Sequence, residues 1–180
     1  MSNMLKSRSD HYGALIVSIH WLSAMLILVL LGSGFRIANT IDAGSKAALL
    51  RIHIPVAAIV LGLTLFRIIW WWRFDIKPLA VQGTPLWQER AARAVHVAFY
   101  LVILGMLASG AGLIILSKAA PVIFQTGAVL PNFADYPPHR LHVSGALLLV
   151  VLVALHAGSA LYQHFARRDG LLWRMWYAGQ

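Results

Sequence analysis

Four long apolar runs separated by short polar connections set the pattern of this chain: Ala14 to Phe35, Ile52 to Trp72, Ala94 to Leu116 and Leu141 to Phe165. Each is long enough, as an α-helix, to cross the roughly 30 Å of hydrocarbon in a bilayer. Backbone in lipid must satisfy its own hydrogen bonds, so the pattern predicts four transmembrane helices. Short connections make an up-and-down bundle the simplest arrangement. The expected fold class is an all-α membrane protein, one integral-membrane domain over residues 1–180 without an internal repeat. The polar stretch Met1 to Gly13 lacks the apolar core of a signal peptide, so the first run reads as a retained helix. Arg73 to Arg93, with Pro78, Gly83 and Pro85, reads as a loop. Ser117 to Arg140 holds Pro121, Pro131, Pro137 and Pro138, which excludes a continuous helix and leaves room for a short one.

Composition agrees with that frame: 59% of residues are hydrophobic and 12% charged, far from an average soluble domain. Fifteen Lys and Arg against six acids give a formal charge of +9. This excess flanks the apolar runs, so it speaks for membrane orientation and against nucleic acid as a partner. The N-terminus, second connection and tail hold Lys6, Arg8, Arg67, Arg73, Lys77, Arg90, Arg93, Arg167, Arg168 and Arg174; the other side holds Arg36, Lys46, Arg51, Lys118 and Arg140. The asymmetry predicts both termini in the cytoplasm. Trp70, Trp71 and Trp72 then form an aromatic belt at the inner interface, and ARRDGLLWRMWYAGQ reads as a tail lying on that surface. Cysteine is absent, which excludes disulfides, c-type haem attachment and thiolate-held iron–sulfur or zinc sites. Imidazole is left as the ligand for any redox centre.

The chain has eight histidines. His142 and His156 share the last apolar run, and their fourteen-residue spacing returns both to one helix face within about 40°, at depths about 21 Å apart. On the predicted topology His20 lies at the depth of His156, and His53, at the head of the second helix, at that of His142. Ionisable groups in hydrocarbon are costly, so two level pairs call for a function. Neutral imidazoles facing each other across a bundle are what an axially six-coordinate haem iron requires. The competing reading is hydrogen bonding between helices or capping near water, which does not require matched depths. His139 competes with His142, which has the better same-face spacing to His156. Gly32, Gly34, Gly62, Gly105, Ser109, Gly145 and Gly158 read as close helix packing ahead of clearance for a porphyrin, and Trp21 as packing beside His20.

SIHWLSA around His20, His53 followed fourteen residues later by Arg67, RAVHVAFYL around His96, and the His142-to-His156 spacing leading into LYQHF form an ordered set over the four runs. In these the chain resembles the bacterial cytochrome b561 family, among whose members is a superoxide oxidase. The resemblance covers nearly the whole chain. It implies two haems b between the four helices of a bacterial inner-membrane protein, His20 and His156 on the cytoplasmic-side haem and His53 and His142 on the periplasmic-side haem. It further implies transfer of electrons from superoxide or another periplasmic donor to ubiquinone. The loop from Ser117 to Pro138 and the proline at position 55 depart from the family's pattern.

Quinone reduction needs a proton donor and a polar group for the carbonyl, and His96, His164 and Arg67 near the cytoplasmic face are the candidates. The alternative places these residues against lipid phosphate or haem propionates. On the opposite face Arg36, Arg51, Lys118 and Arg140 are candidates for a positive patch that steers an anionic donor. Two other functions stay open: a non-catalytic haem subunit relaying electrons between quinone and a partner dehydrogenase, and a haem-free, histidine-lined ion transporter. A protein partner or a homodimer is compatible with each.

Overall fold

The computed structural model describes residues 6–9, 11–80, 83–125 and 129–176. These are all-α, without strands: the long helices α1 (Ala14–Asn39), α2 (Ala43–Arg73), α3 (Leu86–Leu116) and α5 (Pro138–Tyr162), and the short α4 (Ala120–Phe124). A π-helical turn, Gln163–Arg167, prolongs α5, and a 3-10 turn follows at Leu171–Met175. The four long helices are each long and apolar enough to cross a membrane, consistent with a four-helix bundle.

Every long helix outruns its apolar stretch at one end or both, because hydropathy marks what lies in hydrocarbon whereas a helix continues to its cap. α1 runs to Asn39, where Asn39 Nδ2 donates to the Phe35 carbonyl at 2.7 Å and Thr40 Oγ1 to that of Arg36 at 2.6 Å. α2 begins at Ala43, well before Ile52, because Asp42 caps it: the Ser45 N–H donates to Asp42 Oδ2 at 2.7 Å. The same bonding from Ser45 holds the exposed Asp42 carboxyl below its ordinary value. His53 therefore lies well inside α2 and not at its head, a correction to its expected place in the helix. Pro55 also lies within α2, where the helix continues despite the lost N–H.

α3 starts directly after Pro85, whose carbonyl accepts from Gln88 and Glu89. The second connection is thus shorter than the expected Arg73-to-Arg93 loop, Arg90 and Arg93 ride on α3, and His96 is an interior residue of it. Ser117 to Arg140 does hold short helices, α4 and a 3-10 turn at Phe133–Asp135, and α5 opens on Pro138, which fits a first turn. Residues 126–128 of this connection, and 177–180 of the tail, lie outside the described residues.

The chain divides into two compact units, each built from parts of all four long helices. One comprises Met1–Ala24, Leu63–Phe99 and Val151–Gln180. Ile16, Val17 and Ile19 are buried in it, and Asp75 ties its ends together. Ser7 donates to Asp75 through its N–H (2.9 Å) and hydroxyl (2.8 Å), and Trp70 Nε1 donates to the same carboxylate at 3.1 Å. Trp71 meets Tyr12 edge-on and Lys77 through its ring, leaving Trp72 as the outward, 80% exposed member of the tryptophan triplet. The tail docks on protein: Trp21 Nε1 donates to the Met175 carbonyl at 2.9 Å, Trp176 meets Trp21 edge-on, and Arg174 Nη1 donates to the Leu79 carbonyl at 2.6 Å.

The second unit comprises Met25–Gly62 and Tyr100–Val150. Its core joins Leu50 of α2 to Ala119 and Ile123, with Ile37, Ile54, Ile114, Leu130 and Phe133 packed around them. Arg51 Nε donates to the Ile123 carbonyl and fastens α4 to α2.

Candidate functional site

Within the second unit His53 of α2 and His142 of α5 face each other, their ring centroids 6.4 Å apart. Within the first, His20 of α1 and His156 of α5 do so at 6.2 Å. All four rings are half-buried. His139, the competitor of His142, engages through its backbone, its N–H donating to the Tyr136 carbonyl at 3.0 Å.

The His53–His142 surroundings fix which nitrogen is free. His142 Nδ1 lies 3.1 Å from the Met106 carbonyl and 3.1 Å from Ser109 Oγ. A carbonyl only accepts, so Nδ1 carries the proton and Nε2 the lone pair. Ser33 Oγ donates to the Leu30 carbonyl at 3.2 Å and lies 2.8 Å from His53 Nδ1, which makes it the acceptor of that N–H. Ser109 likewise donates to Met106, three residues back on α3, at 2.9 Å. In each helix the next residue is a glycine on the imidazole. A Cβ at Gly34 would stand 3.6 Å from His53 Cε1, and one at Gly110 3.2 Å from His142 Cε1. Ser33-Gly34 and Ser109-Gly110 are therefore matching seats for the two rings.

These seats test the pairs against a bis-imidazole iron. A metal–imidazole bond of about 2.0 Å, with the ring nitrogen about 1.15 Å from the ring centre, puts two trans rings roughly 6.3 Å apart. Both pairs meet that spacing. Hydrogen bonding at Nδ1 is the usual outer support of a histidine ligated through Nε2, and the His53–His142 pair has it on both sides. The donor set fits haem b.

The three quinone-site candidates contact different groups. His96, exposed on α3, lies edge-on to His156 with centroids 5.6 Å apart, and Phe99 flanks the same ring at 5.5 Å. Arg67 is at His20, Nη1 donating to Nδ1 over a long 3.4 Å. His164, in the π-helical turn, stands against Phe165 and, at 6.0 Å, Trp173 of the tail. Tyr12 belongs to the same unit. Burial pushes its hydroxyl pKa up against the opposing pull of Arg67 and Arg174, so it is a neutral donor at physiological pH.

Arg36, Arg51, Lys118 and Arg140 all lie in the other unit and all are exposed, Arg51 with its Nε engaged by α4. Of the small residues read as helix packing, Gly145 earns that role, since a Cβ there would meet Met106 Cγ at 2.9 Å. At Gly32, Gly62, Gly105 and Gly158 a Cβ would meet nothing within 4 Å, so close helix approach does not account for them. Sequence reasoning passed over Ser33, Gly110 and the Met106 carbonyl, and took Ser109 for packing. The signal was a Ser-Gly dipeptide in the middle of two apolar helices.

Comparison with known proteins agrees in extent and kind. The chain is 24% identical to the cytochrome b561 homolog 1 of Escherichia coli K12 over 88% of its own length and 93% of the relative's. It is 23% identical to the probable superoxide oxidase CybB of Yersinia pestis over 91% and 94%. Against cytochrome b561 homolog 2 of E. coli K12 it is 26% identical over 92% and 91%. The family model of the prokaryotic cytochrome b561 matches residues 11–178. With four apolar helices and that match over almost its whole length, the chain belongs to the prokaryotic cytochrome b561 family, multi-pass bacterial membrane proteins of haem b electron transfer.

Proposed function

We propose that this chain is a di-haem b oxidoreductase of the bacterial inner membrane. It takes electrons from superoxide, or another small periplasmic donor, at the His53–His142 pair and delivers them through the His20–His156 pair to ubiquinone. The observation that carries the reading is the bis-imidazole spacing of both pairs, 6.4 and 6.2 Å, with α5 supplying one ring to each. The superoxide donor is supported by the resemblance to a relative named probable superoxide oxidase. Both termini are cytoplasmic on the distribution of Lys and Arg.

Haem b, held by these histidine pairs, would supply a one-electron iron couple in an apolar setting. The chain's own part is positional. Ser33, Ser109 and the Met106 carbonyl keep the Nδ1 protons of His53 and His142 in place and so present Nε2. The exposed Arg36, Arg51, Lys118 and Arg140 raise the local concentration of an anionic donor. Toward the cytoplasm His96 and His164 are the groups for a quinone, one imidazole giving the proton and the N–H of the other holding the carbonyl.

The test is reduction of ubiquinone by the purified chain supplied with superoxide. Reduction that depends on superoxide supports the oxidase. A protein with b-type bands that reduces no quinone until a copurified partner is added is the relay subunit instead. Quinone reduction undiminished in His164→Ala removes that histidine from the acceptor site.

A further inference from the structure

Arg67 is a half-buried cation whose guanidinium lacks an adequate partner. Its Nε is shielded from solvent and makes no hydrogen bond, and among the described residues no carboxylate pairs with it. Asp75, the nearest acid in sequence, is taken up by Ser7 and Trp70. The contact Arg67 does make is the long one, 3.4 Å from Nη1 to His20 Nδ1.

That contact conflicts with ligation. Guanidinium has only donors, so here Nδ1 of His20 accepts and the imidazole proton sits on Nε2. A His20 that offers its Nε2 lone pair carries the proton on Nδ1, as His142 does, and then two N–H groups would point at each other. Arg67 cannot keep this contact while His20 holds a metal. Once turned away it needs an anion, because a desolvated cation is costly unless paired and hydrogen-bonded. A quinone carbonyl is neutral and does not supply one. Haem b brings its own, the propionate carboxylates, and a guanidinium fork matches a carboxylate bidentately.

We infer that Arg67 anchors a propionate of the haem held at the His20–His156 pair, exchanging its contact with His20 for that carboxylate when the haem binds. On binding, the His20 proton moves from Nε2 to Nδ1 and no atom is gained or lost. The inference rests on the reading of that pair as a haem site. It makes Arg67 a positioning residue of the cofactor in place of a quinone ligand.

Redox titration of the native chain, His20→Ala, Arg67→Gln and Arg67→Lys tests it, the band lost in His20→Ala marking the haem of this pair. Arg67→Gln shifts the midpoint potential of that haem down and leaves the other unmoved, because a charge favouring reduced iron is gone and a carboxylate is left uncompensated. The shifted potential also varies with pH more than in the native chain, since an unpaired buried carboxylate titrates at higher pH. Arg67→Lys restores most of the shift. Loss of that haem alone from Arg67→Gln supports the same assignment. Should Arg67→Gln hold neither haem, Arg67→Lys decides: both haems regained, with this one's potential at or slightly below native, supports the inference, and failure to regain them overturns it. Arg67→Gln with both potentials native overturns the inference: a raised KM for ubiquinone then assigns Arg67 to the quinone, and lost phospholipid phosphorus assigns it to a lipid headgroup. A native chain without b-type bands overturns the haem reading itself, so the two failures are distinct.

Discussion

Ser33 and Ser109 hold the His53–His142 pair unequally, and the difference is measurable. Ser33→Ala leaves the His53 Nδ1–H without its acceptor, whereas Ser109→Ala leaves His142 the Met106 carbonyl. Loss of such outer support costs about 10- to 100-fold in metal affinity. Haem retention in detergent should therefore fall clearly in Ser33→Ala and only slightly in Ser109→Ala; equal losses would reject the assignment. Gly110→Ala sets a Cβ 3.2 Å from His142 Cε1, so it should loosen the same haem and leave the other intact. The meeting of four histidines as two pairs was legible in their spacing, because helical rise and membrane depth are linear in residue number. The seats were not, since a Ser-Gly dipeptide in an apolar run looks the same whether it admits a neighbouring helix or an imidazole. Arg67 was legible as a cation near the cytoplasmic face, but its approach to His20 depends on rotamers that spacing does not carry.

Helix ends show a similar divide. The apolar runs located all four long helices, yet α2 begins at Ala43 because of a local cap that hydropathy does not register. Asp42→Ala should lower the thermal midpoint at neutral pH. The Asp42 carboxyl is held below its ordinary 3.8, so its contribution is full above that value and is lost as the pH falls through the lower folded value. The gap between native and variant chains should close only below about pH 4; a gap independent of pH would show that the cap does not act through its charge. The tail reads as a basic, tryptophan-rich surface segment, but its attachment to α1 is an indole N–H bond and a ring contact over a long sequence separation. Trp21→Phe removes that bond, worth about 1 kcal/mol or roughly a fivefold rise in undocked tail. Limited proteolysis after Arg168 should quicken accordingly, and an unchanged rate would mean that ring packing alone docks the segment.

For the molecule as a whole the fold class was legible because four membrane-length runs leave little choice of architecture. The folding of the connection after α3 was not, because its core is only Leu50, Ala119 and Ile123 with a few partly buried neighbours, spread over two distant stretches of chain. Exposed Arg36, Arg51, Lys118 and Arg140 predict that the rate of superoxide oxidation falls as ionic strength rises from about 0.01 to 0.15 M, where screening lengths drop from roughly 30 to 8 Å. A flat profile would rule out electrostatic steering. That two histidine pairs each hold a haem and share α5 is tested by haem content and reduced-minus-oxidised spectra of the native chain, His142→Ala and His156→Ala. Two haems b are expected in the native chain and one in each variant, with different bands lost in the two. A native chain without b-type bands, or the same haem lost from both variants, would contradict that assignment.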